Sequence, residues 1–214
     1  MPIDRTRSVL FIHIPKTAGT SIEQALGIWG DWRVEDRNTL FGQISSPDLL
    51  AAGLGSSFLQ HLTLAEVRTH FALPPSPFTF SIVRNPWDRL LSVYHRIDPH
   101  LASHALACGV DLASLSFDCF VPEVLRLKHA HTASQVAYLR VEGAIAVDFV
   151  GRYETLAADI AHVARRLGAQ LDLPKVNLGR SRAHDDYRAF YSAEARSLVA
   201  RVYEEDCDAF GYRF

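Results

Sequence analysis

A continuous apolar segment that runs directly into a short polar loop restricts the fold of this chain more than any other feature. Residues 8–14 read SVLFIHI, which is typical of a buried parallel strand. The loop PKTAGTS follows at residues 15–21, and residues 20–27 have the apolar spacing of a helix. Strand, tight turn and helix in this order predict an α/β fold with a ligand site at the carboxyl end of the strand.

Two later segments repeat the order of strand and helix. Residues 78–83, FTFSIV, predict a second buried strand, and a helix begins after it with Asn85 as N-cap and Pro86 as first residue. Residues 146–154 predict a late strand, followed by an amphipathic helix that Gly168 closes. We therefore expect a P-loop-NTPase-like parallel sheet of about four to five strands flanked by helices, in one domain that spans the whole chain.

Other segments carry weaker signals. Thr63 and Glu66 have the spacing of a capping box, which predicts a helix over residues 63–71. The sequences DWRVED and SSFLQ, within residues 28–60, predict short strands, and the last 23 residues, SAEARSLVARVYEEDCDAFGYRF, predict a helix with an aromatic tail.

Composition excludes several classes of protein. The 214 residues carry a net charge of −2, which argues against a surface that binds nucleic acid. No segment approaches the roughly 18 apolar residues of a membrane span, and we expect no signal peptide, because the first residues are charged and their apolar run is short. Cys108, Cys119 and Cys207 show no CxxC spacing, so we expect buried thiols in a cytoplasmic protein. The oligomeric state is not indicated.

The loop at residues 15–21 carries groups that suit an anion. Gly19 permits a tight turn, N–H groups in the first turn of the next helix can face an anion, and Lys16 adds a positive charge. Hydroxyl groups come from Thr17, Thr20 and Ser21. The alternative is an ordinary strand-to-helix turn with a solvated lysine.

The order of residues in this loop disfavours a metal-dependent NTPase. Lys16 precedes Gly19, whereas the lysine of the Walker pattern G-x-x-x-x-G-K-[ST] follows its glycines. A strand that ends in an aspartate for Mg²⁺ is also missing, because Asp148 lies inside AVDFVG. The sequence therefore predicts a phosphate site without a metal ion.

A second anion site is predicted after the strand at residues 78–83. Arg84 follows this strand and is expected at the same edge of the sheet, and Ser92 lies about two turns into the next helix. Two anion sites at one edge imply a ligand with phosphates at both ends. The alternative is an arginine that caps a strand end and a serine bonded to its own helix.

The two segments FIHIPKTAGTS and FSIVRNPWDRLLSVYH resemble the cofactor motifs of sulfotransferases that use 3′-phosphoadenosine 5′-phosphosulfate (PAPS). The similarity is greatest to the family that includes heparan sulfate 2-O-sulfotransferase, and it extends to later segments such as VDFVGRYETL and YEEDCDAFGY. The resemblance implies that two groups of residues hold the 5′-phosphosulfate and the 3′-phosphate respectively: Lys16, Thr17, Ala18, Gly19, Thr20 and Ser21, and then Arg84 and Ser92. It also implies that Lys16 stabilises the leaving phosphate.

His61 is the candidate general base. It lies between a predicted strand and a predicted helix, near the ligand edge, and an ordinary imidazole pKa of about 6.5 suits this role. A histidine in the matching segment of the resembling family is the catalytic base, which implies the same role here. The alternatives are a packed or solvated His61, and Glu123 or Glu154 as the base.

Further residues are candidates by position. The resembling family closes a late loop over the nucleotide, which implies contacts from Arg180, Ser181 and Arg182, although a solvated basic loop is the alternative. His129 and His131 have the spacing of a metal pair, but they lack further ligands nearby. With Lys128 and Gln135 they are instead candidates for the acceptor pocket, and His13 is expected to be a packed histidine.

The expected function is sulfuryl transfer from PAPS to a hydroxyl group, with a carbohydrate as the default acceptor. A small hydroxyl compound such as a metabolite, a lipid and a peptide tyrosine are the other options. A P-loop kinase that uses ATP on a small metabolite and a non-catalytic nucleotide-binding protein are the competing functions. The acceptor itself is not identified by the sequence.

Overall fold

The computed structural model describes residues 1–174 and 186–214 of the chain. These residues form two compact units. The first, which we call the sheet unit, contains residues 1–83 and 135–174, and the second, the helical unit, contains residues 84–134 and 186–214.

The sheet unit is built on a four-stranded, mostly parallel sheet. Its strands are β1 (Ile3–Asp4), β2 (Val9–Ile12), β3 (Phe78–Val83) and β6 (Phe149–Arg152), in the spatial order β1-β2-β3-β6. Strand β1 is antiparallel to β2, while β2, β3 and β6 are parallel. Strands β4 (Arg140–Val141) and β5 (Ala144–Ile145) form a separate antiparallel pair.

Helices of the sheet unit flank this sheet. They are α1 (Gly19–Ala25), α2 (Pro47–Ala51), α3 (Leu64–His70), α7 (Gln135–Leu139) and α8 (Leu156–Leu167), with short 3₁₀ helices at Leu59–His61 and Tyr153–Thr155. Phe11 and Phe80 belong to the same buried cluster as Ile22 of α1 and Val163 of α8. Burial of β2 at all four of its residues explains its continuous apolar sequence.

The helical unit contains α4 (Pro86–His95), α5 (Pro99–Ala107), α6 (Phe117–Arg126), α9 (Ala193–Val202) and α10 (Glu204–Phe210). Short 3₁₀ helices lie at Leu112–Ser114, Ala130–Thr132 and Tyr187–Phe190. Its core joins Trp87 and Leu90 of α4, Phe120 and Val124 of α6, and Val199 of α9. The apolar spacing of each helix therefore serves one common core.

Several local predictions are confirmed. Strand β3 has the predicted bounds, and the capping box is present, because the Glu66 N–H donates to Thr63 Oγ1 at 3.2 Å and the Thr63 N–H donates to Glu66 Oε2 at 2.7 Å. Asn85 caps α4 by accepting from the Trp87 N–H at 3.1 Å. Gly168 ends α8. The fold class is thus the expected α/β one.

Three expectations are wrong. Residues 31–36 and 56–60 form no strands but only the isolated bridges Asp36–Phe41 and Gln43–Phe58. Local side chains accept from their backbone instead, since the Arg33 N–H donates to Asp31 Oδ1 at 3.0 Å and the Phe58 N–H donates to Ser56 Oγ at 3.1 Å. The expected C-terminal helix is two helices, α9 and α10, that meet at Tyr203. All three cysteines are free thiols, but Cys108 and Cys119 are exposed.

Within residues 1–174 and 186–214, no helix has the length and apolar character needed to cross a membrane.

Candidate active site

The loop between β2 and α1 has an unusual backbone. Lys16 (φ 72°) and Ala18 (φ 71°) both adopt the left-handed conformation and alternate with Thr17. Residues with a side chain seldom adopt this conformation, so the loop is held in place by its contacts. The Thr17 hydroxyl donates to the Ile14 carbonyl at 2.8 Å and is one such contact. Alternating conformations of this kind turn successive N–H groups toward one side, which suits an anion.

The side chains of the loop take different positions. Thr17 is fully buried and its hydroxyl proton binds the loop's own backbone, while Lys16 and Thr20 are half-buried. Ser21 is buried in α1, where its N–H donates to the Ala18 carbonyl at 3.0 Å. Lys16 is therefore the charged residue of the loop. The N–H groups that suit an anion belong to the backbone of the loop.

The position of Gly19 leaves no room for a side chain. A Cβ atom added at this position would overlap the imidazole ring of His13. His13 directly follows β2 and is buried, and its Nδ1 lies 2.6 Å from Oε1 of the equally buried Glu23. Its ring also stacks on Phe11, with 5.8 Å between centroids. The expected packed histidine is therefore part of a buried pair that lies against the loop.

His61 lies beside this pair. It ends the 3₁₀ helix Leu59–His61, and its ring meets the His13 ring edge to face, with 4.5 Å between centroids. Nδ1 of His61 lies 3.3 Å from the carbonyl oxygen of His13. Since a carbonyl oxygen only accepts, Nδ1 carries the proton, and Nε2 is the basic nitrogen. The structure thus brings the candidate base to the residue that packs against Gly19.

The second motif lies in the helical unit. Arg84 follows β3 directly, is 3% exposed, and donates from Nε to Oδ2 of Asp88 at 2.7 Å. Ser92 is half-buried, two turns into α4. Asp88, an acid in the first turn of α4, thus orients the guanidinium of Arg84.

The histidines near residue 130 form a cluster in the helical unit. His129 stacks on His131 at 5.2 Å and lies 5.7 Å from His104, measured between ring centroids. Burial lowers the pKa of His129, and the nearby His104 lowers it further. Among the described residues, no group of three or more His, Cys, Asp or Glu side chains is arranged to hold a metal ion.

The other candidates are placed as follows. Gln135 is fully buried at the start of α7, whereas Lys128 and Glu154 are exposed. Glu123 lies in α6, where it accepts from Arg126 at 2.7 Å. Arg180, Ser181 and Arg182 lie outside the described residues.

Sequence reasoning missed two partners, Glu23 and Asp88. Both are acids in short helices, where a carboxylate is ordinarily solvent-exposed. The spacing of four residues between Arg84 and Asp88 is a detectable signal, since residues four apart face each other on a helix. The ten-residue separation of His13 and Glu23 offers no such signal.

Comparison with known proteins identifies the family. A family model described as "Sulfotransferase family" matches residues 1–213, which includes both motifs. A comparison with curated proteins finds no significant match, and neither does a comparison with solved structures. The match covers almost the whole chain, with the residues of both units. The chain therefore belongs to the sulfotransferase family and is a PAPS-dependent sulfotransferase.

Proposed function

We propose that this enzyme transfers the sulfuryl group of PAPS to a hydroxyl group of a carbohydrate, with His61 as general base and Lys16 as the group that stabilises the leaving phosphate. The observation that carries the proposal is the series of contacts from His61 to His13 and from His13 to Gly19 of the loop. These contacts connect His61, whose Nε2 is the basic nitrogen, with a loop whose backbone suits an anion.

The loop residues 16–21 are proposed to bind the phosphosulfate. Lys16 contributes its ammonium group, and Thr17 and Ala18 contribute backbone N–H groups, since the Thr17 hydroxyl already donates to Ile14. Thr20 and Ser21 are assigned hydroxyl contacts by resemblance. A metal ion has no part in this proposal.

The 3′-phosphate is assigned to Arg84 and Ser92. The ion pair with Asp88 supports this assignment, because a guanidinium whose orientation is fixed loses less entropy when it binds a phosphate. Arg180, Ser181 and Arg182 are proposed as further nucleotide contacts on the resemblance alone.

The proposed reaction is a direct, in-line transfer of the sulfuryl group. The acceptor oxygen attacks sulfur while Nε2 of His61 takes the hydroxyl proton. The bond between sulfur and the bridging oxygen breaks, and the electron pair stays on the 5′-phosphate of the product, 3′,5′-ADP. Lys16 stabilises the charge that develops on this oxygen. The loop contributes by holding the donor in line with the acceptor.

Two wider proposals follow from the family match and the cysteines. Because the match extends over residues 1–213, we propose that both units belong to one sulfotransferase domain. The free thiols favour a reducing compartment such as the cytoplasm. Family membership decides against the alternative of a kinase that uses ATP.

A transfer assay tests the proposal. The wild type is supplied with radiolabelled PAPS and a panel of hydroxyl acceptors in the presence of EDTA, and Lys16→Met is assayed beside it. We expect transfer that EDTA does not reduce and that Lys16→Met nearly abolishes. Transfer that requires a divalent cation, or a Lys16→Met enzyme as fast as the wild type, would refute the proposed mechanism.

A further inference from the structure

We propose that Trp32 and Phe58 form the binding platform for the acceptor, and that this acceptor is a neutral sugar whose apolar ring face lies on Trp32. We call these two side chains the aromatic platform. The inference deepens the proposed function and rests on His61 being the base, because it assigns the acceptor to the surface next to this residue.

The aromatic platform leads from solvent to the candidate base. Trp32 is 49% exposed, although most tryptophans of folded proteins are largely buried. Its ring lies 6.1 Å from that of Phe58, and the Phe58 ring lies 6.4 Å from that of His61, measured between centroids. Phe58 therefore lies between Trp32 and His61, and a sugar that extends from Trp32 across Phe58 reaches the candidate base.

The loop that carries Trp32 is held in place by other residues. The Glu35 carboxylate accepts from the N–H groups of Ser45 at 2.6 Å and Ser46 at 2.8 Å. The Gln43 N–H donates to the carbonyl of Trp32 at 2.7 Å. The loop is thus ordered by hydrogen bonds of its backbone and of the Glu35 carboxylate. A large apolar side chain in a fixed, solvent-facing position is typical of a binding surface.

The charges around the platform select among acceptors. Residues 28–58 contain four carboxylates, Asp31, Glu35, Asp36 and Asp48, and two guanidinium groups, Arg33 and Arg37. Arg33 pairs with Asp31 at 2.9 Å, and Arg37 pairs with Glu35 at 2.7 Å. This segment is therefore net negative, and both arginines pair with carboxylates within it. A polyanionic glycan would be repelled here, whereas a neutral sugar would not.

The class of ligand follows from the combination of these features. A pyranose ring has an apolar face of C–H groups and hydroxyls around its rim, which matches a flat indole with polar neighbours such as Asp31. The negative surroundings also favour release of the product, which carries a new sulfate charge. Neutral sugars thus satisfy both the apolar surface and the charge.

The test compares two exposed tryptophans. Trp32→Ala removes the platform, and Trp29→Ala is the matched control: Trp29 is 59% exposed and also lies 6.1 Å from a phenylalanine ring, but this ring is Phe41, whereas the partner of Trp32 is Phe58, which contacts His61. The acceptors are methyl β-glucopyranoside, a neutral cello-oligosaccharide, the polyanion N-sulfated heparosan, and 4-nitrophenol. We expect neutral sugars to be preferred, Trp32→Ala to raise their KM by about tenfold, and Trp29→Ala to change it by less than about twofold.

Binding measurements separate this inference from the proposed function. Neutral sugar should change the tryptophan fluorescence of Trp29→Ala and not that of Trp32→Ala, while both bind 3′,5′-ADP as the wild type does. Preference for heparosan or nitrophenol, equal effects of the two variants, no fluorescence response, or a changed oligomeric state of Trp32→Ala would each overturn the aromatic platform. Failure of all three proteins to bind 3′,5′-ADP would instead count against the proposed function.

Discussion

The imidazole of His61 meets the imidazole of His13 edge to face, with 4.5 Å between the ring centroids and 66° between the ring planes. The His13 carbonyl accepts from Nδ1 of His61 at 3.3 Å, and the His13 ring is fixed in turn by Glu23 at 2.6 Å. The carbonyl group and the ring of His13 thus both orient the candidate base, His61. Because His13 also lies over Gly19, a disturbance at the loop is expected to reach His61.

Gly19→Ala tests this connection. The added methyl group overlaps the His13 ring, so we expect a loss of about 1–3 kcal/mol in unfolding free energy from overpacking, and a lower kcat because His61 loses its orientation. Thermal unfolding and steady-state kinetics measure the two effects. Gly30→Ala is the control, since its Cβ would lie 3.8 Å from Phe41 in ordinary contact. Equal behaviour of the two variants would contradict the connection.

Lys16→Met is expected to lower kcat by about 100- to 1,000-fold, because the positive charge at the leaving phosphate is lost. Affinity for 3′,5′-ADP should fall much less, since the backbone of residues 16–18 is retained. Single-turnover kinetics and calorimetry give the two values. Lys16→Arg keeps the charge and should recover part of the rate; a Lys16→Met variant that loses only nucleotide affinity would show that Lys16 binds but does not act in catalysis.

Arg84→Ala tests the assignment of the 3′-phosphate. Loss of a charge-assisted contact should lower the affinity for 3′,5′-ADP by about 10- to 100-fold. The nucleotide 5′-AMP lacks the 3′-phosphate and should bind to the variant as it does to the wild type. Calorimetry with both nucleotides measures the difference. Asp88→Asn, which removes the ion pair but keeps Arg84, should have a smaller effect of the same kind. An equal loss for both nucleotides would indicate a general structural role.

Glu35 predicts how stability depends on pH. Burial opposes its ionisation, but hydrogen bonds from Arg37, Ser45 and Ser46 outweigh burial and lower its pKa to about 2. Since the folded pKa lies below the unfolded value of about 4.5, this stabilisation is complete above about pH 4.5 and disappears as the pH falls toward about 2. Glu35→Gln should therefore be less stable than the wild type at neutral pH, and the difference should vanish in acid.

Thermal unfolding between about pH 2 and 7 measures this effect. Glu142→Gln, at an exposed position, is the control, and its stability relative to the wild type should change little over this range. A stability difference between Glu35→Gln and the wild type that stays constant over this range would show that the carboxylate does not titrate as described.

The sequence predicted those elements whose signals are local. Strand β3 is a continuous apolar run between polar residues, and the caps at Thr63 and Asn85 depend on residues two or three positions away. The short strands predicted within residues 31–60 are wrong, because the order of this region depends on side-chain bonds such as those of Glu35, which follow no period.

The residues of the candidate site were also predicted only in part. Its motifs indicated Lys16, His61 and Arg84, because each follows or precedes a predicted element in the sequence. The orienting partners, above all Glu23, were not predicted, since a carboxylate on a short helix looks like a solvated residue until the chain is folded. Their contacts depend on tertiary structure alone.

The single-turnover rate of His61→Ala, measured with enzyme in excess over labelled PAPS and with a carbohydrate acceptor that the wild type sulfates, tests the central claim most directly. Removal of a general base should slow transfer by about 100- to 10,000-fold, while calorimetry shows unchanged affinity for 3′,5′-ADP. His162 is an exposed histidine of α8 whose ring stacks on Phe149, and the control His162→Ala should transfer at the wild-type rate. A His61→Ala enzyme that transfers sulfate as fast as the wild type would contradict the account.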